Sequence, residues 1–154
     1  MNPFQLNTSG QENSLNRDID IIMAVLESGN SVELNATGYS MFPTLRPGDK
    51  VIVKPFPEGE IPKPGSVVVY RDNNSLVIHR MVEIQNNNGE YIFITRGDSR
   101  MGNDLPLGRQ KLIGQAVTYK RGEKVQQVKN IVPGRINYKF NWFALWFYFK
   151  IKKY

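Results

Sequence analysis

The sequence predicts a mainly β protein, in which a strongly bent antiparallel sheet or a small barrel follows one N-terminal amphipathic helix and precedes an aromatic C-terminal segment. Three observations support this fold class. From Ser31 onward, apolar and polar residues alternate in short runs, as in half-buried strands. Turn-forming Pro, Gly, Asn and Asp residues separate these runs. The chain has 154 residues, 40% of them apolar, which suits a single compact domain.

A helix is predicted before the sheet, because apolar residues recur there at helical spacing. Ser14 or Asn16 can cap its start, and Gly29 follows its last apolar residue as a stop signal. Residues 1–16 are rich in Asn, Gln and Ser and show no periodicity, which predicts a flexible lead-in. The periodic residues are Leu15, Ile19, Ile22, Met23 and Leu26.

Strands are predicted from Val32 onward, where the period of the apolar residues changes from that of a helix to that of a strand. The first covers Val32 to Ala36, and Asp49 is interpreted as a residue of the turn that follows it. The longest part without a strand pattern is the loop 96–111, and long ordered loops are often functional. The later strands are predicted at Val51–Lys54, Ser66–Tyr70, Leu76–Ile84, Tyr91–Thr95, Ile113–Lys120 and Lys124–Val128.

The composition excludes several classes of chemistry. Cysteine is absent and His79 is the one histidine, which excludes disulfides, thiol catalysis and zinc sites built from thiolates or several histidines. A metal site would need oxygen ligands alone, and Asp98 and Asp104 lack the spacing of a calcium loop. We therefore expect no metal and no cofactor.

The basic charge is concentrated in the last part of the chain. From Tyr119 onward the charge is +8, whereas residues 1–118 carry −2. This part contains an aromatic run, Trp142 to Phe149, with lysines on both sides. Such a composition is typical of a segment that lies in a membrane surface, and equally of a terminal helix or strand that covers the sheet. Nucleic acid is not expected as a partner, since basic and aromatic residues form separate blocks. The flanking lysines are Lys139, Lys150, Lys152 and Lys153.

The sequence contains no run of about eighteen apolar residues, the length that a spanning helix needs. Residues 1–16 also lack the basic start and apolar run of a secretory signal. We therefore expect neither a transmembrane helix nor a signal peptide. The predicted location is cytoplasmic, with peripheral membrane contact through Trp142 to Lys153.

Ser40 and His79 are the residues best suited to carry a reaction. Ser40 lies in a sharp turn directly after a strand, which can expose a hydroxyl and leave backbone N–H groups free to bind an oxyanion. A serine hydroxyl must lose a proton to attack a carbonyl, and histidine is the side chain best suited to accept it near neutral pH. Asp98 or Asp104 could then hold the imidazole in the required tautomer. Taken singly, each of these residues is also typical of turns or of strand packing.

In order and spacing, four blocks resemble the type I signal peptidases. They are Gly38 to Asp49 around Ser40, Ile78 to Arg80 around His79, Thr95 to Asp98 with Asp104 beyond it, and Leu112 to Gly114. Most bacterial members carry a lysine where His79 stands. The histidine is similar to the endoplasmic-reticulum and archaeal branch, which uses serine, histidine and aspartate.

This resemblance implies a β-rich peptidase domain over residues 17–132, followed by the basic aromatic segment 133–154. Ser40 would be the nucleophile and His79 the general base, with Asp104 favoured over Asp98 as the acid nearest the imidazole. The expected reaction is cleavage of a peptide or protein substrate after a small residue. The positions expected to contact the substrate or the oxyanion are Gly38, Tyr39 and Met41.

The chain departs from the family pattern in three places, and one of them is that little of it remains for the extra domain that larger members insert. A polar lead-in and a short helix stand where members normally carry a transmembrane anchor, and Gly38 stands where many bacterial members carry a serine that assists the oxyanion. Two alternatives therefore stay open. One is a non-catalytic module that binds or helps mature peptides by strand addition. The other is a self-cleaving repressor-type peptidase, although that family uses lysine as its base and no helix-turn-helix pattern precedes Ser40.

Overall fold

The computed structural model describes residues 8–152 and contains an eight-stranded antiparallel sheet and two helices. The mainly β fold predicted from the sequence is confirmed. Each predicted strand is present, and the loop expected to lack strands holds one short strand and a 3-10 turn, Arg109–Lys111. In chain order the helices and strands are α1 (Thr8–Glu27), β1 (Val32–Asn35), β2 (Lys50–Lys54), β3 (Val67–Asp72), β4 (Ser75–Asn87), β5 (Glu90–Arg96), β6 (Leu107–Gly108), β7 (Leu112–Arg121), β8 (Lys124–Gln127) and α2 (Arg135–Ile151).

Helix α1 begins earlier than the sequence pattern predicted. We expected a flexible lead-in up to residue 16 with a cap at Ser14 or Asn16, but the helix already begins at Thr8. Residues 1–7 of that lead-in lie outside the described residues. Relative to alanine, Asn, Gln and Ser each cost about 0.7 kcal/mol or less in a helix. A helix that is held by its apolar face can therefore extend through a polar segment that lacks proline. Gly29, with a φ of 84°, follows the helix as expected.

The sheet is open and bent. Its strand order is β1-β2-β7-β3-β4-β5-β6, and β8 pairs with the second half of β7. The pairing register shifts at Ile52/Val53 in β2, Val69/Tyr70 in β3 and Met81/Glu83 in β4. Shifts of this kind arise at β-bulges, which bend a strand and increase its twist. Within residues 8–152 the sheet does not close, so the bent sheet is the observed form and the small barrel is not.

The long hairpin of β4 and β5 brings the two later blocks of the site together. Asn88 and Gly89 connect the strands with positive φ values of 52° and 93°, as a tight type I′ turn requires. In the paired strands Arg80 lies opposite Arg96, and Met81 opposite Thr95. His79, one residue before Arg80, therefore lies close to the end of β5.

Apolar side chains are buried on both faces of the sheet. Val67 and Val69 of β3 belong to one cluster, which also contains Leu26 of α1. Val68 and Tyr70, which point to the opposite face, belong to the other. Strands buried on both faces read as continuous apolar runs, which explains the Val-Val-Val-Tyr sequence of β3.

Asp49 does more than form the expected turn. Its carboxylate is 2% exposed and accepts two hydrogen bonds from Arg121, at 2.8 and 2.6 Å, and one from the backbone N–H of Arg46 at 2.8 Å. Burial works to raise the pKa of Asp49, but these hydrogen bonds outweigh it and hold the pKa below its usual range. The pair ties the turn after Ser40 to the end of β7.

The aromatic segment forms a helix, α2, which resolves the expectation of a helix or a strand. Tyr138 is buried, and its ring packs under the Arg96 guanidinium with 3.5 Å between the guanidinium carbon and the ring centre. Most other side chains of α2 are exposed. Within the described part of the chain, no helix combines the length and apolar character needed to span a bilayer. Lys153 of the predicted membrane-contacting segment lies outside the described residues.

Candidate active site

Ser40 lies in a turn that leaves the sheet directly after β1. Inside the turn, the Phe42 N–H donates to the Tyr39 carbonyl at 3.0 Å. From outside, Ser99 holds it twice: its backbone N–H donates to the Ser40 carbonyl at 2.9 Å, and its hydroxyl donates to the Tyr39 carbonyl at 2.8 Å. Ser99 is 4% exposed, so these bonds form away from water. The backbone of the candidate nucleophile is therefore fixed by the loop after β5.

His79 lies on β4 with its imidazole against Asp104. The distance from the imidazole Nδ1 to the Asp104 Oδ2 is 2.6 Å, and the His79 side chain is 7% exposed. The same carboxylate oxygen accepts a hydrogen bond from the Thr95 hydroxyl at 2.7 Å. The Asp104 backbone N–H donates to the Thr95 carbonyl at 2.8 Å, which fixes the loop beside β5. Of the two candidate acids, Asp104 is thus the one in contact with the imidazole.

The hydrogen bonds around Asp104 keep its carboxylate ionised. Burial works to raise the pKa of Asp104, but hydrogen bonds from His79, Thr95 and Tyr70 outweigh it and lower the pKa. An ionised carboxylate only accepts hydrogen bonds, so Nδ1 of the imidazole must carry the proton between them. In the neutral imidazole with its proton on Nδ1, the other ring nitrogen, Nε2, presents a lone pair.

Tyr70 packs beside this pair on β3. Its ring centre lies 6.2 Å from that of His79, and its hydroxyl lies close to Asp104. Burial, followed by the negative charge of Asp104, raises the pKa of the Tyr70 hydroxyl well above its usual range. The Tyr70 hydroxyl therefore stays protonated beside the carboxylate.

Gly97 lies against both the Ser40 backbone and the His79 imidazole. A Cβ built at Gly97 would lie 2.5 Å from the Ser40 carbonyl oxygen and 3.1 Å from the His79 Nε2. The first distance is shorter than real side chains allow and the second is tight, so the Ser40 backbone and the imidazole can pack this closely because residue 97 is a glycine. Nε2 is the imidazole nitrogen that lies beside Gly97, next to the Ser40 backbone.

Asp98 is brought close to this group but binds a different partner. Its carboxylate accepts two hydrogen bonds from the Arg80 guanidinium, both at 2.7 Å, and one from the Thr44 hydroxyl. The Arg80 and Asp98 side chains are 2% and 1% exposed. Arg80 also donates to the backbone carbonyls of Gly65 at 2.8 Å and Lys129 at 2.6 Å. Asp98 therefore neutralises a buried cation that joins four segments of the chain.

A cleft of about 370 Å³ opens beside these residues. Gly38, Ser40, Met41, His79 and Asp104 line it, whereas the Tyr39 ring points away and packs on Phe149 of α2 with 4.8 Å between the ring centres. A Cβ at Gly38 would meet nothing within 4 Å, so this wall of the cleft is open. Apolar side chains form much of the remaining lining, namely Ala36, Leu45, Leu76, Val77 and Ile78.

The residues described contain no group of three His, Asp or Glu side chains arranged to hold a metal ion. The arrangement beside the cleft is instead a hydroxyl, an imidazole with one free nitrogen, and a carboxylate that orients it. Such a set can move a proton from the hydroxyl to the imidazole while the oxygen attacks an electrophilic carbon.

Four residues support the site without having been predicted to do so: Thr44, Tyr70, Thr95 and Ser99. Thr95 begins the Thr95 to Asp98 block and Ser99 follows it, so both hydroxyls were visible as neighbours of a candidate acid. Tyr70 gave no such signal, because its place in an apolar run is typical of a core residue.

Residues 6–107 match the family described as Peptidase S24-like. Two curated yeast proteins are similar, both named signal peptidase complex catalytic subunit SEC11. The protein from Lachancea thermotolerans is 28% identical over 115 residues, which is 72% of this chain and 66% of the relative. The protein from Zygosaccharomyces rouxii is 32% identical over 109 residues, which is 68% of this chain and 61% of the relative.

Proposed function

Since the chain belongs to the Peptidase S24-like family and is similar to signal peptidase catalytic subunits, we propose that it is a serine endopeptidase of the signal peptidase type. Ser40 is the nucleophile, His79 the general base and Asp104 the residue that orients the base. The observation that carries this proposal is the 2.6 Å contact from the His79 Nδ1 to Asp104, which leaves Nε2 as the nitrogen available to accept the Ser40 proton in the cleft that both residues line. The chain spans 66% and 61% of the two relatives, so their activity is proposed for it and not transferred.

In the proposed first step, the Ser40 hydroxyl transfers its proton to Nε2 while its oxygen attacks the carbonyl carbon of the substrate peptide bond. The imidazolium that forms is stabilised by the ionised Asp104 carboxylate. Backbone N–H groups of the Ser40 turn, including that of Ser40, stabilise the negative charge on the carbonyl oxygen. Imidazolium then protonates the leaving amine, which departs and leaves an ester on Ser40.

In the second step, a water molecule gives a proton to Nε2 and attacks the ester carbon. The ester bond to Ser40 breaks, the serine oxygen regains the proton from the imidazolium, and the acyl half of the substrate leaves as a carboxylic acid. The enzyme returns to its starting state, so the reaction needs one water molecule per peptide bond and no cofactor.

Cleavage after a small side chain fits the cleft. Met41 and Leu45 are buried and form an apolar floor near Ser40, with Ala36 beside them. An extended peptide whose residue before the cut is small can bring its carbonyl to Ser40 without displacing these side chains.

The peptidase domain is proposed to cover residues 17–132, since Val128 is still part of the core and α2 begins only at Arg135. The cytoplasmic location stays a prediction.

The experiment is covalent labelling with a serine-directed phosphonate probe, read by intact mass. Wild type is expected to gain a single adduct on Ser40, and Ser40→Ala is expected to gain none. His79→Ala is expected to react at least about a hundredfold more slowly than wild type, because the proton acceptor is missing. Ser75→Ala, which removes an exposed hydroxyl on β4, is the matched control and is expected to label like wild type.

A folded wild-type chain that gains no adduct would contradict the peptidase proposal and favour the non-catalytic module. Circular dichroism of each variant establishes that the chain is folded. In that module Ser40→Ala would leave peptide binding intact.

A further inference from the structure

Helix α2 touches the rest of the molecule along one narrow line. Tyr138 is buried under Arg96, and the Asn141 side-chain amide donates to the backbone carbonyl of Asp98 at 3.0 Å. Near the other end of α2, Tyr148 and Phe149 pack on the ring of Tyr39. The helix is thus attached to the two loops that carry the candidate nucleophile and the Arg80–Asp98 pair.

The rest of α2 exposes a large apolar surface. Its aromatic side chains are 46–69% exposed where they do not touch the domain. Soluble monomers rarely leave a contiguous apolar surface of this kind uncovered, and such a surface marks a contact with a membrane or another molecule. We call this set the aromatic face of α2; it consists of Phe140, Trp142, Phe143, Trp146 and Phe147.

The charge of the chain segment that contains this face is of one sign. From Lys124 to Lys152 the chain carries six Lys and Arg residues and no Asp or Glu. Lys139 and Lys150 flank the aromatic face at its two ends. An anionic lipid surface offers both negative charge and an apolar layer below it. A protein partner would need acidic and apolar side chains arranged to fit the lysines and the aromatic side chains of α2. Trp and Tyr rings with Lys at the ends are typical of helices that lie in the membrane interface.

The dimensions of α2 exclude a spanning position. Its 17 residues extend about 26 Å, less than the hydrocarbon thickness of about 30 Å, and Lys139 lies inside the helix. A helix of this length with basic ends is accommodated parallel to the bilayer, with its aromatic side chains below the headgroups.

We propose that the aromatic face of α2 binds the surface of an anionic bilayer and thereby holds the Ser40 turn, through Tyr39, at that surface. This inference rests on the proposed function where it concerns the substrate: a cleft held at the bilayer surface cleaves peptides that emerge from, or lie on, the membrane. The lipid contact itself does not depend on catalysis.

Tryptophan fluorescence tests the contact directly, because the chain has two tryptophans, Trp142 and Trp146, and both lie on the aromatic face. With vesicles of phosphatidylcholine and phosphatidylglycerol, the emission is expected to move to shorter wavelengths and the protein to float with the vesicles. With vesicles of phosphatidylcholine alone, binding is expected to be at least tenfold weaker, at roughly 1 kcal/mol of attraction per basic residue near an anionic surface. Equal binding to both vesicles would overturn the electrostatic part of the proposal.

Matched variants separate α2 from the general charge of the protein. The triple variant K139Q/K150Q/K152Q is expected to bind anionic vesicles about a hundredfold more weakly. K54Q/K63Q/K111Q removes the same charge from exposed positions outside α2 and is expected to bind within about threefold of wild type, because distant charges are screened. Similar losses in both triples would contradict the proposal.

The aromatic face is tested in the same way. F143S/F147S keeps both tryptophans and is expected to reduce binding about tenfold or more, whereas I21S/V125S, at exposed apolar residues outside α2, is expected to leave it unchanged. Self-association in sedimentation without vesicle binding would show that a second copy of the chain covers α2, which overturns the proposal.

Failure of this inference is distinguishable from failure of the proposed function. Ser40→Ala is expected to bind anionic vesicles like wild type, since Ser40 lies outside α2. Phosphonate labelling without vesicle binding would overturn the membrane contact alone. Vesicle binding without labelling would overturn the peptidase proposal alone.

Discussion

At the scale of single residues, Asp104 and Asp98 differ in what their carboxylates bind. Asp104 contacts the imidazole of His79, whereas Asp98 neutralises the buried Arg80. Asp104→Asn is therefore expected to lower the rate of phosphonate labelling by about 10²–10⁴-fold, because the imidazole loses its tautomer and its counter-charge. Asp98→Asn is expected to lower the free energy of unfolding by about 3 kcal/mol or more, because Arg80 stays buried with a weaker partner.

Labelling rates and urea unfolding curves of both variants distinguish the two roles. The assignment would be reversed if Asp98→Asn lost labelling at unchanged stability while Asp104→Asn kept it.

Gly97 is expected to control the approach of His79 to Ser40. The Cβ of Gly97→Ala would push against the Ser40 carbonyl oxygen and Nε2, and a displacement of about 1 Å at a reacting group costs about a hundredfold in rate. The labelling rate of Gly97→Ala is expected to fall by that amount. Gly102→Ala, in the same loop, is the control, because a Cβ there would meet nothing within 4 Å. Equal rates in the two variants would show that the space at Gly97 does not matter.

The sequence alone could identify the candidate residues but could not choose between the two acids. Ser40 and His79 stood out because a turn after a strand and a single histidine are visible locally. Asp98 and Asp104 share one loop, and what separates their roles is Arg80, whose pairing with Asp98 across 18 residues depends on the β4–β5 register. The pairing of Arg121 with Asp49 could not be predicted either, because 72 residues separate them and only the fold brings them together.

At the scale of elements, Tyr138 is the buried contact among those that attach α2 to the domain. Tyr138→Ala removes the buried ring and its contact with Arg96, which is expected to lower the opening free energy of α2 by about 3 kcal/mol. In hydrogen exchange, the amides of α2 are expected to lose protection while those of β3 and β4 keep theirs. Phe140→Ala, at an exposed position of the same helix, is expected to change neither. A uniform loss of protection in Tyr138→Ala would show that α2 and the sheet open as one unit.

The predicted strands agree with the structure where burial of the side chains determines the sequence pattern. The bounds of β3 and β7 lie within two residues of the predicted ones, because the apolar residues used for the prediction are those that the sheet buries. Helix α1 extends further than predicted because a polar sequence without proline does not oppose a helix that has already formed. The aromatic segment could be assigned as helix or strand from composition, and the decisive contact, Tyr138 with Arg96, joins residues far apart in the chain.

At the scale of the whole molecule, stability is expected to fall in acid. Asp49 and Asp104 have pKa values lowered from the usual 3.8, so the unfolded chain takes up protons at these groups before the folded chain does. Their stabilisation is complete above about pH 5 and is lost as the pH falls below about 4 and through the folded pKa values. Urea unfolding at several pH values between about 6 and 3 measures this slope.

Arg121→Gln tests the contribution of Asp49 to that slope. Without the hydrogen bonds from Arg121, the pKa of Asp49 is expected to rise. The free energy of unfolding of the variant is therefore expected to be lower near neutral pH and to decrease less on acidification. Lys124→Gln removes the same charge from an exposed position on β8 and is expected to keep the wild-type slope. A slope unchanged in Arg121→Gln would mean that Asp49 does not contribute to acid unfolding.

The position of β7 in the sheet has a consequence for the order of events during synthesis. Ser40 follows β1, which pairs with β2, and His79 lies on β4, which pairs with β3; β7 is the strand that joins β2 to β3. A ribosome that has released the chain up to Asp104 has therefore delivered all three candidate catalytic residues as two unconnected hairpins. The cleft can assemble only after β7 has emerged, and the Lys129 carbonyl that Arg80 binds follows later still. A nascent chain stalled before Leu112 is expected not to react with the phosphonate probe, which makes the protein inert until its synthesis is nearly complete.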